Sequence, residues 1–101
     1  MKAKDYFEKY KEPLRRSADK DTRSNIVAEI FIEMSAEGNQ LGKTRNIQRE
    51  EALMAIIEEM NGKWNALVRL VEKEFGAGVL VRDTFRKVWA EQLKEAPGSL
   101  G

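Results

Sequence analysis

Between Gln48 and Phe75 one pattern repeats without a break: Leu53, Ile56, Ile57, Met60, Trp64, Leu67, Val68, Val71 and Phe75 recur mostly three and four residues apart. At about 3.6 residues per turn they fall within about 120° of one another, so one long helix presents them all to the same neighbours. Glu50 and Glu51 lie in its first turn, where negative charge complements the amide end of the dipole, and Glu59 precedes Lys63 by four residues. Gly76-Ala77-Gly78 supplies positive-φ residues and ends the helix after Phe75.

A helix with so wide an apolar face needs partners, and the flanking sequence offers three. Asp19 and Asp21 carry capping oxygens ahead of a second series, Ile26, Val27, Ile30, Phe31, Met34, Gly38 and Leu41, which predicts a helix from about Thr22 to Arg45. Gly38 and Gly42 each cost roughly 1 kcal/mol relative to alanine within it. Continuation is preferred because Gly38 lies in the apolar stripe, where a missing side chain admits a large neighbour such as Trp64. A cap at Gly38-Asn39 is the alternative.

Upstream, Ala3, Tyr6, Phe7 and Tyr10 predict a short helix over residues 3 to 12. Pro13 should end it near Lys11 or Glu12, or open a new turn, with residues 14 to 20 as a connector. Downstream, Val81, Phe85, Val88 and Trp89 predict a helix from about Leu80 to Glu95, terminated by Pro97-Gly98. Only Gly78 to Val81 looks β-like. The expected fold is therefore all-α: a small bundle of about four helices with two long central ones, a single domain over residues 1 to 97, and a frayed tail over 98 to 101. A chain of 101 residues can close one hydrophobic core but hardly two.

Composition narrows the chemistry. The chain has no Cys and no His, which excludes disulfide scaffolds, thiolate catalysis, imidazole or thiolate metal ligation and Ser-His-Asp triads. No apolar run reaches the ~18 residues of a membrane helix, and Met1 to Asp5 leads into charged residues, so we expect a soluble, cytoplasmic protein. Glu58 and Glu72 lie on one flank of the long helix and Glu59 and Glu74 on the other, an arrangement that suits a solvated surface better than a metal or acid-base centre. No catalytic residue, metal ligand, cofactor or small-molecule substrate is expected.

Lys+Arg number 18 against 17 Asp+Glu, yet the charge is unevenly spread: residues 1 to 23 carry +3, 24 to 42 carry −3 and 43 to 49 carry +3. Arg15, Arg16, Lys20 and Arg23 could thus join Lys43, Arg45 and Arg49 in a basic surface for nucleic-acid phosphates. The overall basic excess and the interleaved aromatics of such surfaces are missing. A helix-turn-helix around Asn46-Ile47-Gln48 is also disfavoured, since Gln48 and Arg49 are followed at once by two glutamates that phosphates would repel. Trp64 and Asn65 could form a stacking and hydrogen-bonding pocket, but Trp64 lies on the core stripe. Tyr6 and Tyr10 read as packing residues with hydrated hydroxyls. Ile32 and Met54 fall outside their own stripes and mark either a partner surface or a further intramolecular contact.

The segments Lys4-Asp5-Tyr6-Phe7-Glu8-Lys9-Tyr10, Lys63-Trp64-Asn65-Ala66, Glu72-Lys73-Glu74-Phe75-Gly76 and Phe85 to Trp89 resemble small uncharacterised helical proteins of prophages and mobile elements of Gram-positive bacteria. The resemblance implies an accessory role in a bacterial host cell and assigns no activity to any position. The expectation from the sequence is a non-catalytic protein acting through protein contacts, as a homo-oligomer or an adaptor, with nucleic-acid binding as the rival.

Overall fold

A computed structural model describes residues 1 to 45 and 50 to 95. Among the described residues four helices follow one another: α1 (Ala3–Arg16), α2 (Lys20–Thr44), α3 (Glu50–Phe75) and α4 (Thr84–Glu95). There is no strand among the described residues. The chain is an all-α bundle in which α3 is the axis, packed against α1, α2 and α4. Ile56, Ile57, Met60, Trp64, Leu67, Val68 and Val71 are buried along it, while Leu53 and Phe75 at its ends are half-buried. Gly76 adopts φ 92°, and its N–H donates to the Glu72 carbonyl at 2.9 Å, closing the last turn. No helix of the described residues is long and apolar enough to cross a membrane.

α1 runs further than its proline suggests, through Pro13 to Arg16, so residues 14 to 16 are helical and not a connector. Pro13 forfeits one backbone hydrogen bond and sits exposed in the last full turn. Against that loss, the extra turn buries Leu14, contributing about 2 kcal/mol, and Ser17 caps its carbonyl through both N–H and Oγ. At the other end the Asp5 carboxylate accepts the Lys2 N–H at 2.8 Å.

α2 begins where Asp19 Oδ1 accepts the Thr22 N–H at 2.7 Å and continues through Gly38 and Gly42. Gly38 is buried, but the ring it admits is that of Trp89, not Trp64: a Cβ there would stand 2.8 Å from Trp89 Cη2. Trp64 instead meets Phe31 edge-on with centroids 5.7 Å apart, and Phe31, Phe85 and Trp89 continue the aromatic cluster.

α4 starts four residues later than its apolar pattern predicts. Gly78 at φ 94° and Asp83 at φ 60° turn the chain between Phe75 and Thr84, so Leu80 plugs the core from an irregular segment. Val81 and Val88 are consequently exposed, and only Phe85 and Trp89 of the expected stripe face inward. The expected turn at Asn46-Ile47-Gln48, the Pro97-Gly98 stop and the tail over 98 to 101 lie outside the described residues.

Candidate functional site

A groove of about 670 Å³ opens between the first half of α2 and the segment joining α3 to α4. Val27, Ala28 and Phe31 come from α2, Trp64 and Phe75 from α3, and Val79 from the connection. Positive-φ backbone at Gly76 and Gly78 bends the connection back over the helix ends, and Val81 follows it at 61% exposure. Lys20 and Arg23 stand on the α2 side, Ser24 beside them and Thr84 opposite. The lining holds two cations and no carboxylate among the described residues. Trp64 is fixed from behind, its indole N–H donating to the Val81 carbonyl at 2.7 Å, which the Thr84 hydroxyl also uses.

The two cations at the mouth have no acidic partner among the described residues, whereas four arginines elsewhere are each paired with a glutamate. Arg15 reaches Glu12 and, at 3.0 Å, Glu74; Arg45 meets Glu59 at 2.9 Å; Arg82 meets Glu72 at 3.2 Å; and Arg86 chelates Glu58 at 2.9 and 2.6 Å. The carboxylates singled out on the two flanks of α3 are thus each held by an arginine. Hydrogen bonds from Arg86 and Arg45 keep the Glu58 and Glu59 carboxyls below their usual range, so both stay ionised. No group of three or more acidic side chains converges as a metal site among the described residues. By contrast, Arg23 Nε donates to Ser17 Oγ at 3.2 Å, and neither Lys20 nor Arg23 forms an ion pair among the described residues.

The two basic clusters do not merge into one surface. Lys20 and Lys43 mark opposite ends of α2, about 35 Å apart by the rise of the helix. Arg16 is exposed beside the α2 N-terminal end; Arg15 and Arg45 are taken up by glutamates; Arg49 lies outside the described residues. Ile32 is 67% exposed and Met54 half-buried. Phe31 packs on Trp64, which puts Ile32 some ten residues, or about 15 Å, along α3 from Met54, so the two are not one patch.

Two polar assemblies escaped the sequence reading. Asn61 is buried in the middle of α3: its Oδ1 accepts the Arg86 N–H at 2.8 Å and its Nδ2 donates to Asp83 Oδ1 at 3.0 Å. Asn65, one turn on, donates to the same carboxylate oxygen and accepts the Asp83 N–H, both at 2.9 Å. Together they hold the first turn of α4 against α3, and the two amides keep the Asp83 carboxyl low. Asn65 is therefore a docking residue and not half of a ligand pocket. The spacing Asn61-Asn65, one helical turn beside the core stripe, was the available signal.

The second assembly ties α1 to α2 and α3. The Tyr6 hydroxyl donates to Glu37 Oε1 at 2.8 Å and the Tyr10 hydroxyl to Glu33, so these hydroxyls face carboxylates and not water alone. Lys9 reaches Glu33 at 2.7 Å, and Lys63 pairs with Glu37. Burial and the acceptor carboxylates push both phenols well above their ordinary range. Burial also works to raise Glu37, yet the hydrogen bonds from Lys63 and Tyr6 prevail and its carboxyl lies low. The matched four-residue spacings of Tyr6-Tyr10 and Glu33-Glu37 carried this pairing.

Comparisons with protein-family models, with curated proteins and with solved structures give no match.

Proposed function

We propose that the chain is a non-catalytic interaction module, an adaptor that works through protein contacts, and that the groove beside α2 is its contact surface. The groove is the observation that supports this: five apolar or aromatic residues, Val27, Phe31, Phe75, Val79 and Val81, line one depression that no part of the described chain fills. Apolar groups gathered in one concave place gain from being covered, whereas singly scattered ones ask for nothing. A concave surface also favours a different partner over a symmetric dimer, whose two-fold interface must fit itself. The resemblance to prophage and mobile-element proteins supports an accessory role in a bacterial host, for which the cytoplasm is the compartment we propose.

Nucleic-acid binding is less well supported, because Arg15 and Arg45 are neutralised by Glu74 and Glu59 and the remaining cations are divided between the two ends of α2. Light scattering on a sizing column, with DNA and RNA mobility shifts at low and moderate salt, tests the choice. The adaptor reading expects the mass of one 11.6 kDa chain and no shift at moderate salt. A salt-sensitive shift abolished by Arg16→Glu would establish the rival. A stable dimer lost on Ile32→Glu would replace the adaptor by self-association through the outer face of α2.

A further inference from the structure

We infer that the groove takes an acidic amphipathic peptide segment of the partner, with its apolar side chains against Phe31, Phe75 and Val79 and its carboxylates against Lys20 and Arg23. This rests on the protein-contact reading above and adds the chemistry of what is bound.

Three features select that occupant. The first is charge. The chain balances 18 basic against 17 acidic residues, and its arginines elsewhere are largely paired, yet this lining carries Lys20 and Arg23 with no acid among the described residues. The nearest acids in sequence do not compensate: the Asp19 carboxylate is turned back onto the Thr22 N–H, and Asp21 is exposed outside the lining. Arg23 is held from behind by Ser17 at its Nε, which leaves the guanidinium nitrogens beyond it for a bidentate carboxylate.

The second feature is polarity. A strip of aromatic and aliphatic carbon between α2 and the connection rewards apolar side chains, and only its α2 side rewards charge. An occupant must therefore carry both along one edge, as an amphipathic segment does. Two cations are too few for a nucleic-acid backbone, and the Trp64 ring, 1% exposed, has no free face on which a base could stack. The third feature is size. A volume of about 670 Å³ holds a few side chains, enough for the anchors of one segment and far less than a folded domain would cover.

The test is selection of short linear peptides from a displayed random library on the full chain, followed by anisotropy titration of the labelled winners. Enriched peptides should combine Asp or Glu with Leu, Ile, Phe or Trp. Their affinity should fall about tenfold in the double variant Lys20→Glu, Arg23→Glu and lose most of its salt dependence. The fold survives that change, since acidic residues in the first turns of a helix complement its dipole. Lys43→Glu, at the far end of α2, should leave affinity unchanged. Enrichment of basic or uncharged peptides, indifference to the double reversal, or no enrichment at all would overturn the inference. Peptides lost on Ile32→Glu alone would overturn it while leaving a protein-contact role in place. Oleate bound at Lys20 and Arg23 with no peptide selected would assign the groove to an anionic lipid and overturn it as well.

Discussion

Gly38→Ala and Gly62→Ala make the same chemical change in the interiors of two long helices, and the structure assigns them opposite signs. Replacing glycine by alanine inside a helix gains roughly 1 kcal/mol from the restricted backbone. At Gly62, which is exposed, the added carbon meets no heavy atom within 4 Å beyond its chain neighbours and its own helix backbone, so that gain should appear in full. At Gly38 the new Cβ would stand 2.8 Å from Trp89 Cη2 and 3.3 Å from Met60 Cγ. Carbon atoms pack best at about 3.5 to 4.0 Å, so the indole must move, and overpacking of this kind costs about 1 to 3 kcal/mol. The net effect at Gly38 is then a loss of up to about 2 kcal/mol, and the two variants should differ by the overpacking cost itself. Urea unfolding followed by far-ultraviolet circular dichroism reads that difference as separated midpoints with unchanged slope. Trp89→Leu removes the clashing atom, so Gly38→Ala made in that background should become stabilising. If Gly38→Ala stabilises as much as Gly62→Ala, or if Trp89→Leu leaves its cost unaltered, the indole does not sit on that backbone and the packing of α4 across α2 is misassigned.

Asn61→Leu strips the Arg86 N–H of its acceptor and should cost about 1 to 3 kcal/mol, with faster hydrogen exchange concentrated at the first turn of α4. A uniform rise in exchange over the whole chain would argue against a local docking role. Glu37 has a lowered carboxyl pKa, so its stabilising contribution is complete above the unfolded value of about 4.3 and is lost as pH falls through the folded one. Glu37→Gln should therefore be less stable than the parent at neutral pH and lose less stability on acidification; parallel acid limbs would refute the assignment. Gly78→Ala meets no neighbour within 4 Å but must hold φ 94°, so it should lose about 1 to 2 kcal/mol, again by urea midpoint, from backbone strain alone.

The helices themselves were legible because their signals are local. The Leu53 to Phe75 stripe, the Asp19 cap and the Gly76 stop each act over a few residues of chain, and the structure uses each of them. Two boundaries were misplaced for the opposite reason. The turn beyond Pro13 exists because Leu14 is buried against other helices, and the late start of α4 exists because Asn61 and Asn65 on α3 hold Asp83 and Arg86. Neither cause is contained in the segment it governs. The basic residues were equally visible as a composition shift, but their number said nothing of which would be neutralised: Arg15 finds Glu74 across the bundle, and Arg23 finds only a serine hydroxyl.

Periodicity and capping residues settled the four helices of the described residues and their common apolar axis, since those properties depend on neighbours along the backbone. Which aromatic ring rests on Gly38, which carboxylates are consumed by arginines and where a groove stays open depend on helices meeting from distant parts of the chain. Those contacts turn on relative height and rotation about each axis, quantities that a hydrophobic stripe constrains only to within a face. The bundle could be written down from its residues; the surface it leaves for a partner appeared only when the helices were set against one another.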